Sequence, residues 1–258
     1  MKLTAEQIVQ NWQDLINFIE NNFEGERKQK LLAMYTDLED RMSVQPASSF
    51  DHYHNAFDGG YVDHVLRVIK CAQQVYNLWQ GMGADMSGYT QEELLFVALN
   101  HDIGKMGFPG EGNETYLPND SEWHIKNQGK YYVNNPELQF MTPPDRGIWL
   151  LNQFGIKMTM MEMIGIKLTD GMYDDGNIQY LKAYAPEKKL KSNMPLILHQ
   201  ADMDTTRIEY EDWIRANKKE EIKVQGRVEN IKKAVTMEET SEQLTQKSKD
   251  LFNELFGE

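Results

Sequence analysis

The sequence predicts an all-α fold, and three features of its patterning favour that class. Apolar residues recur at three- and four-residue steps through most of the chain, which places them on one face of a helix. Two segments begin with a capping box, in which a threonine and a Gln or Glu three residues later satisfy each other's free backbone amides: Thr4 with Gln7, and Thr90 with Glu93. No stretch with strand-like composition is long enough to build a sheet.

The first 83 residues predict three helices. The first follows the Thr4 capping box, and the second covers residues 27–42 and ends before Pro46. Residues 48–60 contain two histidines and a Gly-Gly pair and are predicted as a loop. A long helix follows and ends at Gly81 and Gly83, because a stripe of apolar side chains runs along one of its faces: Val62, Val65, Ile69, Ala72, Tyr76 and Trp79.

The second half of the chain predicts three more helices. The first starts at Thr90, is nearly all apolar from Leu94 and stops at Gly104, and a loop follows over residues 106–120. Another runs from Thr142 through Phe154. Residues 171–194 look irregular, with room for a short strand or hairpin. Pro195 suits the first turn of the last long helix, which runs to about residue 216.

These elements divide the chain into three regions. Residues 1–49 are N-terminal helices packed on the core, and residues 50–216 form that core. Residues 217–258 form a charged, amphipathic helical tail, in which Leu244, Leu251 and Leu255 share a face. The tail either docks on the core or joins two copies of the chain into a homo-oligomer.

The charge of the chain excludes one class of function. The 258 residues include 27 Lys and Arg against 40 Asp and Glu, so the formal net charge is −13. Proteins that bind the backbone of long nucleic acids need basic residues that displace counterions. If this protein binds phosphates, positive charge must come from a local source, and a metal ion is such a source. We therefore expect a small phosphate-containing partner in preference to long nucleic acid.

Cysteine content and apolar runs bear on the compartment. Cys71 is the single cysteine, so an intramolecular disulfide and a CxxC site are both excluded. The longest clean apolar run, Leu94–Leu99, is far shorter than the ~20 residues that a bilayer requires. The first residues lack the apolar segment of a secretory signal. We expect a cytoplasmic protein that does not bind membranes.

The most informative residues are His101 and Asp102, at the end of the buried helix. Adjacent side chains on a regular helix point about 100° apart, so both can converge on one ligand only where the helix opens. Gly104 is the predicted left-handed stop that opens it. A buried aspartate beside a buried histidine is costly without a partner, and a divalent metal would supply one.

Two further ligands are expected from neighbouring helices. His64 lies at the edge of the apolar stripe of the long helix, and Asp202 follows the apolar run that precedes it in the last helix. Helical bundles build metal sites from such inward-facing polar side chains. Together the four residues form a mixed nitrogen and oxygen set. That set suits Mn, Fe, Zn, Mg, Ni or Co and does not choose among them.

Three motifs occur in order along this chain. They are HNAFDGGYVDH at residues 54–64, HDIGK at residues 101–105 and AD at residues 201–202. In this order and spacing they resemble the HD-domain superfamily of metal-dependent phosphohydrolases, with its H…HD…D pattern. The chain is similar to HD phosphodiesterases and to the HD domains of 3′–5′ exoribonucleases. The resemblance covers roughly residues 50–210 and implies an HD-domain helical bundle with the metal site among its helices.

The resemblance also implies roles for individual residues. It places the metal on His64, His101, Asp102 and Asp202, and makes Asp102 and Lys105 the catalytic residues. Lys105 is further expected near the substrate phosphate.

A second metal and the substrate have candidate ligands outside that set. Many relatives hold a second metal through two extra histidines, one of them in an HHG motif. This chain offers His124, and Asp170 where HHG would fall, so we expect one firm metal and a weaker or absent second. Arg146 and His54 are candidate substrate ligands.

The expected activity is hydrolysis of a phosphate ester of a nucleotide or related small compound, by water that the metal activates. Two alternatives stay open at this point. One is a di-iron oxygenase of the HD type, which would need more histidine ligands. The other is a nucleotide-sensing HD module without turnover.

Overall fold

The computed structural model describes residues 2–218 and Gln246. The chain divides into two compact units, Met1–Trp213 and Ile214–Glu258. In the second unit, residues 214–218 are helical. Almost all of the predicted amphipathic tail, with its proposed role in self-association, lies outside the described residues. The first unit is mainly α-helical, as predicted.

Helix α1 covers Ala5–Asn22 and begins with the predicted capping box. The amide of Thr4 donates to Gln7 Oε1 at 2.9 Å, and the amide of Gln7 donates to Thr4 Oγ1 at 3.3 Å. These two bonds satisfy amides that the first helical turn leaves free. The helix then buries Trp12, Leu15 and Ile19 against the core.

The helix predicted over residues 27–42 is present, but Leu38 divides it into two. Helix α2 covers Gly25–Asp37 and helix α3 covers Glu39–Met42, with Leu38 between them at φ −100° and ψ 5°. The break redirects α3, so that Arg41 reaches the loop that follows Met106. Its guanidinium donates to the carbonyls of Met106 at 2.9 Å, Phe108 at 2.7 Å and Gly110 at 2.5 Å.

Helices α4, Gly60–Gly81, and α5, Gln91–Asn100, pack against each other at the centre of the unit. Helix α4 also packs on α1. The capping box of Thr90 and Glu93 is present at the start of α5. All residues of α5 from Leu94 to Asn100 are buried, which confirms that this helix is central. Its last buried turn delivers His101 and Asp102 to the interior.

Gly104 does not serve as the predicted left-handed stop. It lies inside a turn of 3₁₀ helix, Ile103–Met106, and the left-handed φ of 87° belongs to Gly107. A Cβ on Gly104 would overlap the backbone carbonyl of Pro143. Glycine is required there because the HDIGK turn packs directly on the main chain of the next long helix.

A small sheet follows, which the sequence analysis did not predict. Strand β1, Tyr116–Pro118, pairs antiparallel with strand β2, Tyr132–Asn134, and helix α6, Glu122–Gln128, lies between them. The strands have three residues each and lie at the surface, so they lack the alternation that identifies a strand.

The remaining helices complete the core. Helix α7 covers Pro143–Gln153 as predicted, and helix α8, Met160–Lys167, was not assigned from the sequence. The region expected to hold a strand or hairpin contains 3₁₀ turns and the short helix α9, Ile178–Leu181. Helix α10 covers residues 194–213 within the first unit, with Pro195 in its first turn. None of the described helices combines the length and apolarity needed to cross a membrane.

A buried ion pair joins α2 to α8. Arg27 donates to both carboxylate oxygens of Glu162, at 2.6 and 3.0 Å, and the Glu162 side chain is fully buried. We expect Arg27→Ala to lower the free energy of unfolding by about 3 kcal/mol, since the buried carboxylate would lose its opposite charge and, of its described hydrogen bonds, keep only the one from the Thr159 amide. Urea denaturation measures this. Lys126→Ala breaks the exposed Lys126–Glu122 pair and should cost less than about 1 kcal/mol. Equal losses in the two variants would contradict the assignment.

Candidate metal centre

His64 stands at the centre of the cluster that the motifs predict. It lies in the second turn of α4, and its ring is completely buried. Its Nδ1 lies 3.0 and 3.3 Å from the two carboxylate oxygens of Glu209 on α10. Its Nε2 lies 3.2 Å from Asp202 Oδ1 and 3.6 Å from Asp102 Oδ2. The ring thus has one nitrogen on Glu209 and the other on the predicted ligands.

His101 meets the same point from the end of α5. Its Nδ1 lies 2.8 Å from the carbonyl oxygen of Ala98, one turn earlier in its own helix. Its Nε2 lies 3.4 Å from His64 Nε2, 3.5 Å from Asp102 Oδ2 and 3.8 Å from Asp202 Oδ1. Ligand atoms of His64, His101 and Asp202 all lie within 4.8 Å of one another.

The hydrogen bonds at Nδ1 determine what both rings present to the cluster. A carboxylate and a backbone carbonyl only accept hydrogen bonds, so Nδ1 of each ring carries the proton. In a neutral imidazole Nε2 then offers a lone pair. The two Nε2 atoms therefore lie 3.4 Å apart and 3.2–3.8 Å from one oxygen of Asp202 and one of Asp102. These acceptors repel unless a proton or a metal cation lies among them, so with both rings neutral the donor set fits a divalent metal.

Without a metal, the charges around His64 favour a second proton on its ring. Burial alone lowers the pKa of His64, but the carboxylates of Glu209 and Asp202 outweigh it and raise that pKa to about 10. Although burial raises the pKa of Asp202, its hydrogen bond with His64 and the nearby charge of His101 hold it below its ordinary value. In the protein without metal, a proton on His64 therefore supplies the positive charge that the carboxylates require.

Lys105 follows the ligand pair on the 3₁₀ turn and contacts it directly. Its Nζ lies 2.5 Å from Asp102 Oδ2, and little of its side chain is exposed. Burial lowers the pKa of Lys105, but the Asp102 carboxylate more than offsets this and raises it above the ordinary value. The ammonium is therefore charged and fixed beside the cluster, with two N–H groups beyond the one that Asp102 accepts.

The two candidate ligands for a second metal, Asp170 and His124, lie in different surroundings. Burial raises the pKa of Asp170, and the nearby carboxylates of Asp102 and Asp202 raise it further, so Asp170 lies within electrostatic reach of the cluster. His124 lies on the exposed surface of α6, where its Nδ1 is 2.7 Å from Ser121 Oγ and its ring meets Trp123. The structure brings Asp170 near the site and leaves His124 on the surface.

His199 explains how Asp170 reaches the site. It lies one turn before Asp202 on α10, and its Nδ1 donates to the carbonyl of Thr169 at 2.8 Å. A Cβ on Gly171 would overlap the His199 ring, and Gly171 has a φ of +53°. The Asp-Gly turn therefore folds tightly over that ring and holds Asp170 close to the cluster.

The contacts of Arg146 are with the HDIGK turn and its neighbours. Its guanidinium is buried and donates to the carbonyls of Gly104 at 3.2 Å and Met141 at 3.3 Å, and to Thr115 Oγ1 at 2.7 Å. It also lies over the ring of Phe108, and its buried Nε has no hydrogen-bond partner in the described part of the chain. These contacts support the HDIGK turn from α7, and the predicted substrate contact of Arg146 stays a prediction.

The buried Nε2 atom of His54 has no hydrogen-bond partner among the residues that the structure describes. The ring of His54 lies 4.8 Å from that of His64, centroid to centroid. Burial lowers the pKa of His54 well below its ordinary value, and the charge of Lys105 acts in the same direction. A neutral imidazole with an unsatisfied nitrogen therefore lies beside the cluster, consistent with the predicted substrate contact.

Glu209 is the residue that the sequence analysis missed. It follows Asp202 by seven residues, which is two helical turns, so both carboxylates lie on the same face of α10. That spacing was visible in the sequence. The contact with His64 was not, because 145 residues separate the two along the chain.

Comparisons with known proteins give one partial similarity. No family model matches the chain, and no solved structure matches it. The protein nucleotidyltransferase YdiU of Photobacterium profundum is 23% identical over 129 residues, which are 50% of this chain and 21% of that protein. The chain thus spans about a fifth of the length of this relative. Membership of the HD superfamily stays a prediction from the motifs.

Proposed function

We propose that this protein is a metal-dependent phosphohydrolase whose metal is held by His64, His101, Asp102 and Asp202. The observation that carries the proposal is the set of facing acceptors. Two histidine Nε2 atoms and the carboxylates of Asp202 and Asp102 lie close together in the interior, and when the histidines are neutral such a group favours a bound cation. With 19% of the Asp202 side chain exposed, the cluster is not fully sealed from solvent.

When bound, the metal would supply Lewis acidity that polarises a phosphate oxygen and lowers the pKa of a water molecule. The residues around it have separate tasks. Lys105 would donate to the phosphate with the N–H groups that Asp102 leaves free, and neutralise charge that develops there. His54, neutral and lacking a partner at Nε2, would hydrogen-bond the substrate on the side next to His64.

The substrate proposed is a nucleotide or a similar small phosphate compound. A chain of net charge −13 is poorly suited to follow the backbone of a long nucleic acid. The metal and Lys105 would supply positive charge at one point, which suits a single phosphate group. The partial similarity to a nucleotidyltransferase supports a nucleotide as the molecule that carries this phosphate.

Metal analysis followed by a substrate panel tests the proposal. The protein is loaded with Mn²⁺, Zn²⁺ or Fe²⁺, dialysed, and assayed on mononucleotides, cyclic nucleotides and a long single-stranded oligonucleotide at about 150 mM salt. We expect about one firmly held metal per chain and faster turnover of the small substrates. Faster turnover of the oligonucleotide, with steep inhibition by salt, would move the chain toward the exoribonuclease relatives. Absence of both metal and turnover would overturn the proposal.

The same samples separate the di-iron alternative. An oxygenase of that type would hold two irons and absorb visible light, and it would consume O₂ instead of releasing phosphate. Its demand for extra histidine ligands is poorly met, since His124 lies on the exposed surface of α6 and the ring of His199 packs against Gly171. A nucleotide sensor would bind metal and nucleotide without releasing product.

A further inference from the structure

We infer that Asn55 and Glu209 are positioning residues that fix the ring of His64 and so set the metal affinity of the site. The inference rests on the metal-binding part of the proposed function and is independent of the reaction. No motif of the sequence analysis assigned a role to either residue. Three observations support it: the burial and contacts of Glu209, the backbone of Asn55, and the charges that enclose both.

Glu209 is a fully buried carboxylate whose two oxygens both face Nδ1 of His64. A buried carboxylate is costly unless its oxygens receive hydrogen bonds. The Glu209 carboxylate receives the proton of His64 Nδ1 and an N–H of the Asn55 amide, at 3.1 Å from Oε1. Carboxylates that hold the outer nitrogen of a metal-bound histidine fix its tautomer and orient its ring. Glu209 has the position that this task requires.

Asn55 has a backbone conformation that needs an explanation. Its φ is +42°, and among the non-glycine residues that the structure describes it alone has a positive φ. Asparagine tolerates this left-handed region better than most residues, yet the conformation still costs energy. Its carbonyl oxygen also lies where a Cβ on Gly60 would stand, so the turn closes only because residue 60 is glycine.

The strained turn places the Asn55 amide near three acceptors. Besides Glu209, Nδ2 lies 2.9 Å from Asp63 Oδ2 and 3.4 Å from the carbonyl oxygen of Gly60. The Nε of Arg67 donates to the same oxygen of Asp63 at 2.9 Å and lies 4.0 Å from Glu209 Oε1, and its Nη1 donates to Asp212 at 3.1 Å. The amide and the guanidinium thus lie among three carboxylates, and Asn55 holds Glu209 by a hydrogen bond of its own.

The consequence concerns which nitrogen of His64 reaches the cluster. With Glu209 in place, Nδ1–H is committed and Nε2 faces Asp202 and Asp102. Without that acceptor, the ring can carry its proton on Nε2 or turn about its Cβ–Cγ bond. Either change removes a lone pair from the metal position. The effect appears as lost metal affinity while the four ligands themselves are intact.

The experiment compares variants of the full chain by their affinity for Zn²⁺ and Mn²⁺, measured in competition with a coloured chelator. We expect Glu209→Ala to weaken binding 10–100-fold, as is usual for such partners. Glu209→Gln should retain more affinity, because its amide oxygen still accepts from Nδ1–H. Glu211→Gln, an exposed change two residues later on α10, is the matched control and should bind as the wild type does.

Two variants of Asn55 separate its side chain from its backbone. Asn55→Gly allows the left-handed turn and removes the amide, so we expect affinity to fall about 10-fold. Asn55→Ala also opposes the positive φ and should lower the melting temperature as well. In Zn²⁺-loaded protein, the ring N–H proton of His64 should be protected from exchange in the wild type and in Glu209→Gln, and lost in Glu209→Ala.

The outcomes distinguish failure of this inference from failure of the proposed function. Wild-type affinity in folded Glu209→Ala, with the His64 N–H proton unchanged, would overturn the inference alone. A wild-type chain that binds neither metal would overturn the proposed function and this inference together. A loss of affinity in Glu211→Gln equal to that in Glu209→Gln would show a general charge effect and would likewise overturn it.

Discussion

Asp102→Ala is expected to abolish metal retention and to reduce phosphate-ester hydrolysis by about 10³-fold or more. Asp102 Oδ2 lies 3.5 and 3.6 Å from the Nε2 atoms of His101 and His64, and it also accepts from Lys105. Its removal takes away a ligand and the charge that balances the cation. Metal content per chain after dialysis and the initial rate on a mononucleotide measure the two losses, with the far-ultraviolet circular dichroism spectrum as the check of folding.

Two histidines of this chain provide a matched comparison for that result. His101→Ala should lose metal as Asp102→Ala does, since its Nε2 faces the cluster and its ring is buried. His124→Ala removes a ring from the exposed surface of α6 and should leave metal content and rate unchanged. Full metal content and full turnover in Asp102→Ala would show that the active site lies elsewhere. Loss of metal in His124→Ala would restore His124 as a ligand.

Lys105→Ala is expected to lower kcat by about 10²–10³-fold while the metal stays bound, which is the usual size of a lost electrostatic stabiliser. The ammonium is charged and lies against Asp102, so it can neutralise a phosphate held at the same point. Lys105→Arg keeps the charge with a different geometry and should recover part of the rate. Steady-state rates and metal content of the three proteins check both statements.

The metal content of Lys105→Ala decides between two roles. Retained metal with a lower kcat places Lys105 at the reacting phosphate. Lost metal would instead show that Lys105 acts through Asp102, by holding that carboxylate in its ligating position. An unchanged kcat with metal retained would remove Lys105 from the catalytic residues.

The helices with strong local signals were predictable from the sequence. Capping boxes located the starts of α1 and α5, and Pro195 located the start of α10. The break at Leu38 was not predictable, because residues 27–42 have helical patterning throughout and the interruption serves contacts of Arg41 with a distant loop. The strands β1 and β2 are too short to carry a pattern of their own.

The candidate site was also predictable only in part. Four predicted ligands converge because each lies at a helix position that its motif and apolar surroundings identify. The contacts that support them could not be predicted, since they join residues far apart in the chain. Glu209 contacts His64, and the Arg146 side chain donates to the backbone carbonyl of Gly104, a contact that leaves no trace in the residue type of its acceptor.

The two arginines that hold the HDIGK turn have a consequence for how this sequence can diverge. Arg146 donates to the backbone carbonyl of Gly104 within this turn. Arg41 donates to the backbone carbonyls of Met106, Phe108 and Gly110 in the loop that follows. Every amino acid carries the same backbone carbonyl, so these hydrogen bonds can be retained when the side chains in the loop are replaced. Gly104 and Gly107 differ in this respect, because a side chain at Gly104 would overlap the backbone and Gly107 has a left-handed φ that favours glycine. We therefore expect Gly104 and Gly107 to tolerate substitution least, and positions held only through their carbonyls, such as Met106, to tolerate a change of side chain better with respect to these arginine contacts.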